Sequence, residues 1–392
     1  MQVDAVRRVV LAPDKFKGTV SAQRLVDVMA AAIAEQAPAA AVSRLPVADG
    51  GDGSVAAALS AGWRADSVPA SDAWGTDVKA SVARLGGRAI VEVASVCGLG
   101  ARRPGPSEAA TATTYGVGQA VAALLDDGVE EITLALGGSA ATDGGTGLLS
   151  ALGADLRDAQ GRRLAPGGTA LTDLATVRTG ELHPGLRTVR LVLACDVDTP
   201  MVGARDGSAE MFARQKGADD DMVRRLSAGL AHAADLLEDA FGSPGAARRP
   251  GSGAAGGLAW VGLLLGGHLR SGAEVFLDLL GAEEQIRGAD LVITGEGRLD
   301  AQSLRGKAPV SIARLARTHG VKTVAIVGSN RLPAAADDEA LFADTITLDR
   351  IDPACADDPE LTCRLVGQAA RTLVQAHLDQ GLTTTHRNGA RP

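Results

Sequence analysis

Cysteine is scarce in this chain, and so are aromatic residues. Four cysteines (Cys97, Cys195, Cys355, Cys363) stand in 392 residues, with no Cys-x-x-Cys pair and no histidine at finger spacing. A structural zinc site and a disulfide framework are thereby excluded as organising devices, and a reducing, cytoplasmic setting is expected. Nine aromatics (five Phe, three Trp, one Tyr) are too few for a base-stacking platform. Positive charge is not in excess either: the formal net charge of −8 has the wrong sign for a dedicated nucleic-acid or anionic-membrane binder. A small anionic ligand is still admitted, because it reads a local field and not the total. Long apolar runs are missing. The best candidate, Ala254–Leu265, has twelve residues with three glycines, against the ~20 needed to span a bilayer. The N-terminal stretch MQVDAVRRVVLAPDKF has a short apolar run and no small-residue cleavage site, so no signal peptide is expected. The six histidines are scattered with no pair at metal-ligand spacing, and no Gly-x-Ser-x-Gly elbow occurs, which disfavours acyl chemistry.

What is abundant is glycine, 49 of 392 residues, well above the usual ~7%. It implies many loops of special backbone geometry. The length exceeds the roughly 250–300 residues at which single cores stop growing, so two domains are expected. The first sixty residues read β-loop-α-β-loop-α: a strand at Val9–Ala12, a helix with Ser21 as N-cap, a second strand at Arg44–Ala48 and another Ala-rich helix. Between Trp63 and Val96 the rhythm changes to hairpins, with Gly86-Gly87 as the clearest turn. Helix patterns return at Tyr115–Leu125 and Asp219–Ala240, with strands at Ile132–Leu136 and Val189–Cys195. The strand-helix rhythm resumes with a strand at Leu291–Thr294, a helix at Val310–Thr318, a strand at Thr323–Val327 and a terminal helix near Glu360–Gln380. The expected architecture is α/β. A discontinuous Rossmann-like parallel-sheet domain (1–67 and 285–382) would carry an inserted α/β domain of mixed sheet (68–284), with the active site in the cleft and a disordered tail at 383–392.

Chemistry-bearing residues gather in loops that follow strands. Gly137-Gly138-Ser139-Ala140-Ala141-Thr142-Asp143-Gly144-Gly145-Thr146-Gly147 precedes the apolar Leu148–Leu152. Glycines there let backbone N–H groups approach a phosphate or carboxylate, and the helix start adds a favourable dipole. It lacks the Lys-Ser/Thr ending of a P-loop and the register of Gly-x-Gly-x-x-Gly; a plain strand-to-helix turn is the alternative. Thr294-Gly295-Glu296-Gly297-Arg298-Leu299-Asp300-Ala301-Gln302-Ser303-Leu304-Arg305-Gly306-Lys307 combines two carboxylates, two arginines, a lysine and three glycines. Carboxylates hold a hard cation, cations neutralise phosphate oxygens, and glycines permit close approach. Three shorter loops, Asp14-Lys15-Phe16-Lys17-Gly18, Asp49-Gly50-Gly51-Asp52-Gly53 and Cys195-Asp196-Val197-Asp198, follow further strands. Together they suggest a phosphorylated ligand and a metal.

These loops, taken in order with Gln215-Lys216-Gly217-Ala218 and Gly253-Ala254-Ala255-Gly256-Gly257, resemble the bacterial glycerate kinase family of the two-domain glycerate 2-kinase type. The likeness runs over about residues 7–330. It implies ATP and Mg²⁺ as cofactors and D-glycerate as substrate, with 2-phosphoglycerate a more common product than 3-phosphoglycerate. Within it, Asp196 is expected as base, with Lys15 and Lys17 on phosphate oxygens. Asp49, Asp52, Ser139 and Asp143 would shape the glycerate side. Gly295, Glu296, Arg298 and Lys307 would serve the nucleotide, and Glu296 with Asp300 the metal. The acids could exchange roles. Two departures from the family pattern are Ala141-Thr142, where Thr-Asn is more usual, and Ala213-Arg214, where Gly-Pro is. No nucleic-acid or membrane partner is expected, and a monomer and a homodimer are both compatible with the sequence. The alternatives are a haloacid-dehalogenase-like phosphohydrolase, suggested by Asp196-Val197-Asp198-Thr199, and a non-catalytic two-domain solute-binding protein.

Overall fold

The computed structural model describes residues 6–100, 102–301, 303–332 and 341–378, and divides into two compact units. The first unit takes the chain up to Ala48 and again from Ala273; the second takes Asp49–Gly272. In chain order the first unit opens with β1 (Arg8–Pro13) and β2 (Ala41–Arg44). The second carries β3 (Arg64–Ser71), β4 (Asp77–Leu85), β5 (Arg88–Glu92), β6 (Glu131–Ala135), β7 (Asp155–Asp158), β8 (Leu174–Arg178), β9 (Arg190–Ala194) and β10 (His268–Arg270). The chain then returns to the first unit with β11 (Leu291–Leu299), β12 (Lys322–Asn330) and β13 (Thr345–Thr347).

The first unit is an all-parallel sheet in the order β13-β12-β11-β1-β2. Counted within the unit, that is 2-1-3-4-5, a doubly wound arrangement with its topological switch point between β1 and β11. Such strands are covered on both faces and read as continuous apolar runs. Val9, Leu11, Leu291, Ile293, Val324 and Ile326 pack to one side with helices Ala22–Gln36 and Pro359–Leu378. Ala325, Val327 and Leu299 pack to the other with Val310 and Ala313 of helix Ala308–Thr318. Ser21 caps the first helix, its Oγ accepting from Arg24 N at 3.3 Å. Leu25, Met29 and Ile33 are fully buried along that helix, and each such burial contributes roughly 1.5–3 kcal/mol.

The second expected strand shifts. It spans Ala41–Arg44, because Pro46 has no N–H and interrupts the ladder, although Leu45 N and Val47 N still donate to Leu11 O (2.8 Å) and Pro13 O (3.1 Å).

The second unit holds a six-stranded mixed sheet, β10-β9-β6-β5-β4-β3, and a two-stranded ribbon, β7-β8. β3, β4 and β5 run antiparallel, and β5, β6, β9 and β10 run parallel. Gly86-Gly87 makes the tight turn between β4 and β5, with Gly86 at φ +56°. The long helix Asp220–Phe241 starts at Asp219, whose side chain accepts from Met222 N at 2.8 Å, and stops at Gly242.

The unit boundaries lie at 48/49 and 272/273, where the strand-helix rhythm had suggested 67/68 and 284/285. Helix Ser54–Ser60 follows β2 but packs on β3, β4 and β5, and Val55 N donates to Glu92 Oε2 at 3.0 Å. A helix after a strand need not cover that strand's sheet. The terminal helix ends at Leu378, and the tail 383–392 lies outside the described residues.

Candidate active site

In the first unit the charged residues collect where β1 and β11 end side by side. Pro13 pairs with Gly295 across the two strands, and Asp14 N donates to Gly295 O at 2.8 Å. Asp14 is buried; its Oδ1 accepts from Lys15 N at 2.7 Å and lies 4.0 Å from Lys15 Nζ. Glu296 is only 4% exposed. Its Oε2 lies 3.9 Å from Lys307 Nζ, while its buried Oε1 has no hydrogen-bond partner among the described residues. Burial pushes this carboxyl up to about 7, and the charges of Asp14 and Asp300 add to the push. A Ser303 hydrogen bond and the Lys307 ammonium oppose it. Asp300 closes the loop through Ser303, whose Oγ accepts from Asp300 N at 3.1 Å. Arg298 is exposed, its Nε 3.4 Å from Asp300 Oδ2, and Lys17 is exposed on the β1 side.

An orphaned buried carboxylate oxygen calls for an explanation. A bound cation or a ligand donor supplies one. Among the described residues no three His, Cys, Asp or Glu are grouped to hold a metal by themselves. Mg²⁺ does not need such a cage, since it is bound through one or two carboxylates together with phosphate oxygens and water. The donor set of Glu296 and Asp300 therefore fits a nucleotide-borne Mg²⁺.

Gly295 is a glycine for steric reasons: a Cβ there would run into the Ile326 carbonyl oxygen of β12. Gly295→Ala is expected to lower stability by about 1–3 kcal/mol, read as a lower denaturation midpoint with an unchanged denaturant slope. An unaltered midpoint would show that β11 and β12 can part at no cost.

In the second unit the loops after the parallel strands are stitched backbone to backbone. Gly137 N, just past β6, donates to Gly50 O at 2.9 Å. A Cβ on Gly272 would meet the Asp49 carbonyl, so the segment after β10 needs glycine to pass this loop. Asp49 is half-buried with Oδ1 accepting from Gly51 N at 3.2 Å, and Asp52 is exposed. Asp196 follows β9. Its Oδ1 accepts from Ser271 Oγ and from Gly272 N, both at 2.8 Å, which holds the carboxylate in one orientation.

Asp143 is wholly buried and accepts from Thr113 Oγ1 (3.1 Å), Thr114 N (2.8 Å), Thr114 Oγ1 (3.0 Å), Gly145 N (3.0 Å) and Gly147 N (3.2 Å). This carboxylate accepts both from its own loop and from Thr113 and Thr114, and so sets the loop's shape. Ser139 is buried too, its Oγ accepting from Ala141 N at 3.3 Å and lying 3.7 Å from Cys97 Sγ. Lys216 belongs to the Gln215-Lys216-Gly217-Ala218 segment. It is buried, with Nζ donating to Ala141 O at 2.6 Å, and burial pulls its ammonium down to about 8. Since that bond reaches a backbone carbonyl, the Ala141 departure removes none of it. Arg214 is exposed and pairs with Asp220 at 2.8 Å, a surface contact. Ser271 and Gly272 were missed altogether, because β10 has only three residues, none of them buried, and gives little signal.

Three comparisons with known proteins bear on this arrangement. Residues 9–375 match the sequence profile of the glycerate kinase family. A glycerate kinase of Bacillus subtilis (strain 168) is 38% identical over 326 residues, 82% of this chain and 85% of that protein. A glycerate 2-kinase of Escherichia coli (strain K12) is 36% identical over 330 residues, with the same two coverages. A crystal structure from Salmonella typhimurium LT2, named for glycerate kinase 2, superposes with a TM-score of 0.75 at 32% identity. It covers 97% of this chain and 100% of its own.

Proposed function

This chain belongs to the glycerate kinase family, and from that premise we propose that it transfers the γ-phosphoryl group of ATP to D-glycerate. The products would be ADP and phosphoglycerate, the 2-phosphate in preference to the 3-phosphate. The observation that carries the reading is the buried Glu296, with its orphaned oxygen and its neighbours Lys307, Asp14 and Asp300, at the β1/β11 switch point. Open α/β sheets bind ligands at such points.

Phosphoryl transfer asks a protein for positioning and charge stabilisation more than for covalent chemistry. In the first unit Lys15, Lys17, Arg298 and Lys307 supply cations for phosphate oxygens, and the backbone at Gly295 allows close approach. Glu296 and Asp300 would hold Mg²⁺, which when bound neutralises charge on the β- and γ-phosphates. In the second unit Asp196 accepts the proton of the attacking hydroxyl. Asp49, Asp52 and the Gly-rich loop bearing Ser139 orient glycerate, with Asp143 setting the loop's shape from inside. Among the described residues no helix is long and apolar enough to cross a membrane.

The purified chain is expected to form ADP only when D-glycerate is added, with turnover abolished by excess EDTA. Phosphorus NMR of the product should show the 2-phosphate. Glycerate-independent ADP formation or undiminished turnover in EDTA would overturn the reading, and phosphate release without ATP would restore the phosphohydrolase alternative.

A further inference from the structure

The second unit contains a cavity of about 740 Å³, within the usual range for small-molecule sites. Nothing in the proposed reaction uses it. Five serine and threonine residues line it: Ser71, Thr111, Thr113, Thr146 and Ser150. Every one of those hydroxyls already donates into the protein. The acceptors are Gln119 Oε1 (2.9 Å), Ser107 O (3.2 Å), Asp143 Oδ2 (3.1 Å), Asp143 O (2.7 Å) and Thr146 O (2.9 Å), respectively. A hydroxyl has one proton and two lone pairs. With the protons committed inward, this wall offers acceptors, and it suits a ligand rich in N–H and O–H donors.

Two further features narrow the ligand. Tyr115, the single tyrosine of the chain, and Trp74 both line the cavity, although aromatics number only nine in the whole sequence. They provide flat surfaces for a planar ring. Arg157 and Arg163 line it as well. Asp155, one of the two acids in the lining, pairs with Arg157 Nε at 2.8 Å and with Arg178 Nη1 at 3.6 Å. Glu181, the other, is exposed. Arg157 is engaged by Asp155 and Gly161 O, so Arg163 is the arginine that would meet a phosphate group.

We infer that this cavity binds a nucleoside monophosphate: a planar ring with amino donors, a hydroxylated sugar and one anionic end. The site is separate from the donor-nucleotide groups proposed at Glu296 and Lys307. It adjoins the Gly-rich loop, because Thr113 and Gly147 line the cavity and both bond to Asp143. An occupant would thus stiffen the loop from behind.

The test is calorimetric titration of AMP into the full chain, alone and with a saturating non-hydrolysable ATP analogue plus Mg²⁺. One AMP per chain should bind in both conditions. Tyr115→Ala and Arg163→Glu, both at exposed positions, should each weaken AMP about ten-fold or more, by loss of the stack or of the phosphate partner. Both should leave glycerate-dependent ADP formation and the melting temperature unchanged. Absence of AMP binding, displacement of AMP by the ATP analogue, or indifference to both substitutions would each overturn the inference. Binding is read directly, so the outcome does not depend on whether glycerate proves to be the substrate.

Discussion

Asp196→Asn is expected to lower kcat by about 10²–10⁴, the range for loss of a general base, with little change in the KM of glycerate or of Mg-ATP. The argument is positional first. β9 is paired along its length with β6 on one side and with β10 on the other, so the residue just beyond its end is held by a rigid frame. Ser271 Oγ and Gly272 N then fix the carboxylate through Oδ1. Asparagine keeps the size of the side chain, and its carbonyl can still accept from both donors, so binding geometry should survive. What it cannot do is take the hydroxyl proton as transfer proceeds. An interaction needed only in the transition state appears in kcat and spares KM. Steady-state kinetics at saturating and limiting substrate separate the outcomes. A raised KM for Mg-ATP with kcat preserved would instead make Asp196 a metal ligand. The base would then be sought at Asp49 or Asp52 and no longer at Asp143, whose carboxylate is buried and saturated.

The elements that sequence patterns revealed are those whose burial is one-dimensional. Val9–Ala12 and Leu291–Thr294 are covered on both faces, so an unbroken apolar run marks them, and a charged Gly-bearing loop after each marks the strand end. The unit boundary was not legible, because the Ala-rich helix Ser54–Ser60 could cover either sheet and only its contact with β4 and β5 decides. The hydrogen bonding of Asp143 was not legible either, for a related reason. Its donors Thr113 and Thr114 lie thirty residues upstream, and a carboxylate bonded to its own loop has the same local sequence as one offered to a ligand. Ser271 escaped because the strand before it is too short to show a pattern.

Asp143→Ala should be strongly destabilising, costing about 3–5 kcal/mol, because a wholly buried carboxylate is removed and each buried donor left unpaired costs about 1–3 kcal/mol. Five donors from Thr113, Thr114, Gly145 and Gly147 lose their buried acceptor at once. The buried Lys216 ammonium loses its compensating charge as well. This second part makes the loss depend on pH. Burial lowers the folded-state pKa of Lys216 from 10.5 to about 8, while the unfolded chain keeps its lysine protonated up to the higher value. Between those two values the unfolded state binds more protons, so this residue makes stability rise with pH across the window. The Cys97 thiol, the other titratable neighbour, is pushed up to about 11 by burial and stays neutral throughout. At pH 7 Lys216 is charged and needs Asp143; at pH 9 it is mostly neutral in the folded protein and needs it far less. Asp143→Ala should therefore cost more at pH 7 than at pH 9 in chemical denaturation, and in a Lys216→Met background that difference should vanish. A loss below about 1 kcal/mol at pH 7 would show that Asp143 does not hold the Gly-rich loop in shape, and a loss equal at both pH values would show that its charge does not support the Lys216 ammonium.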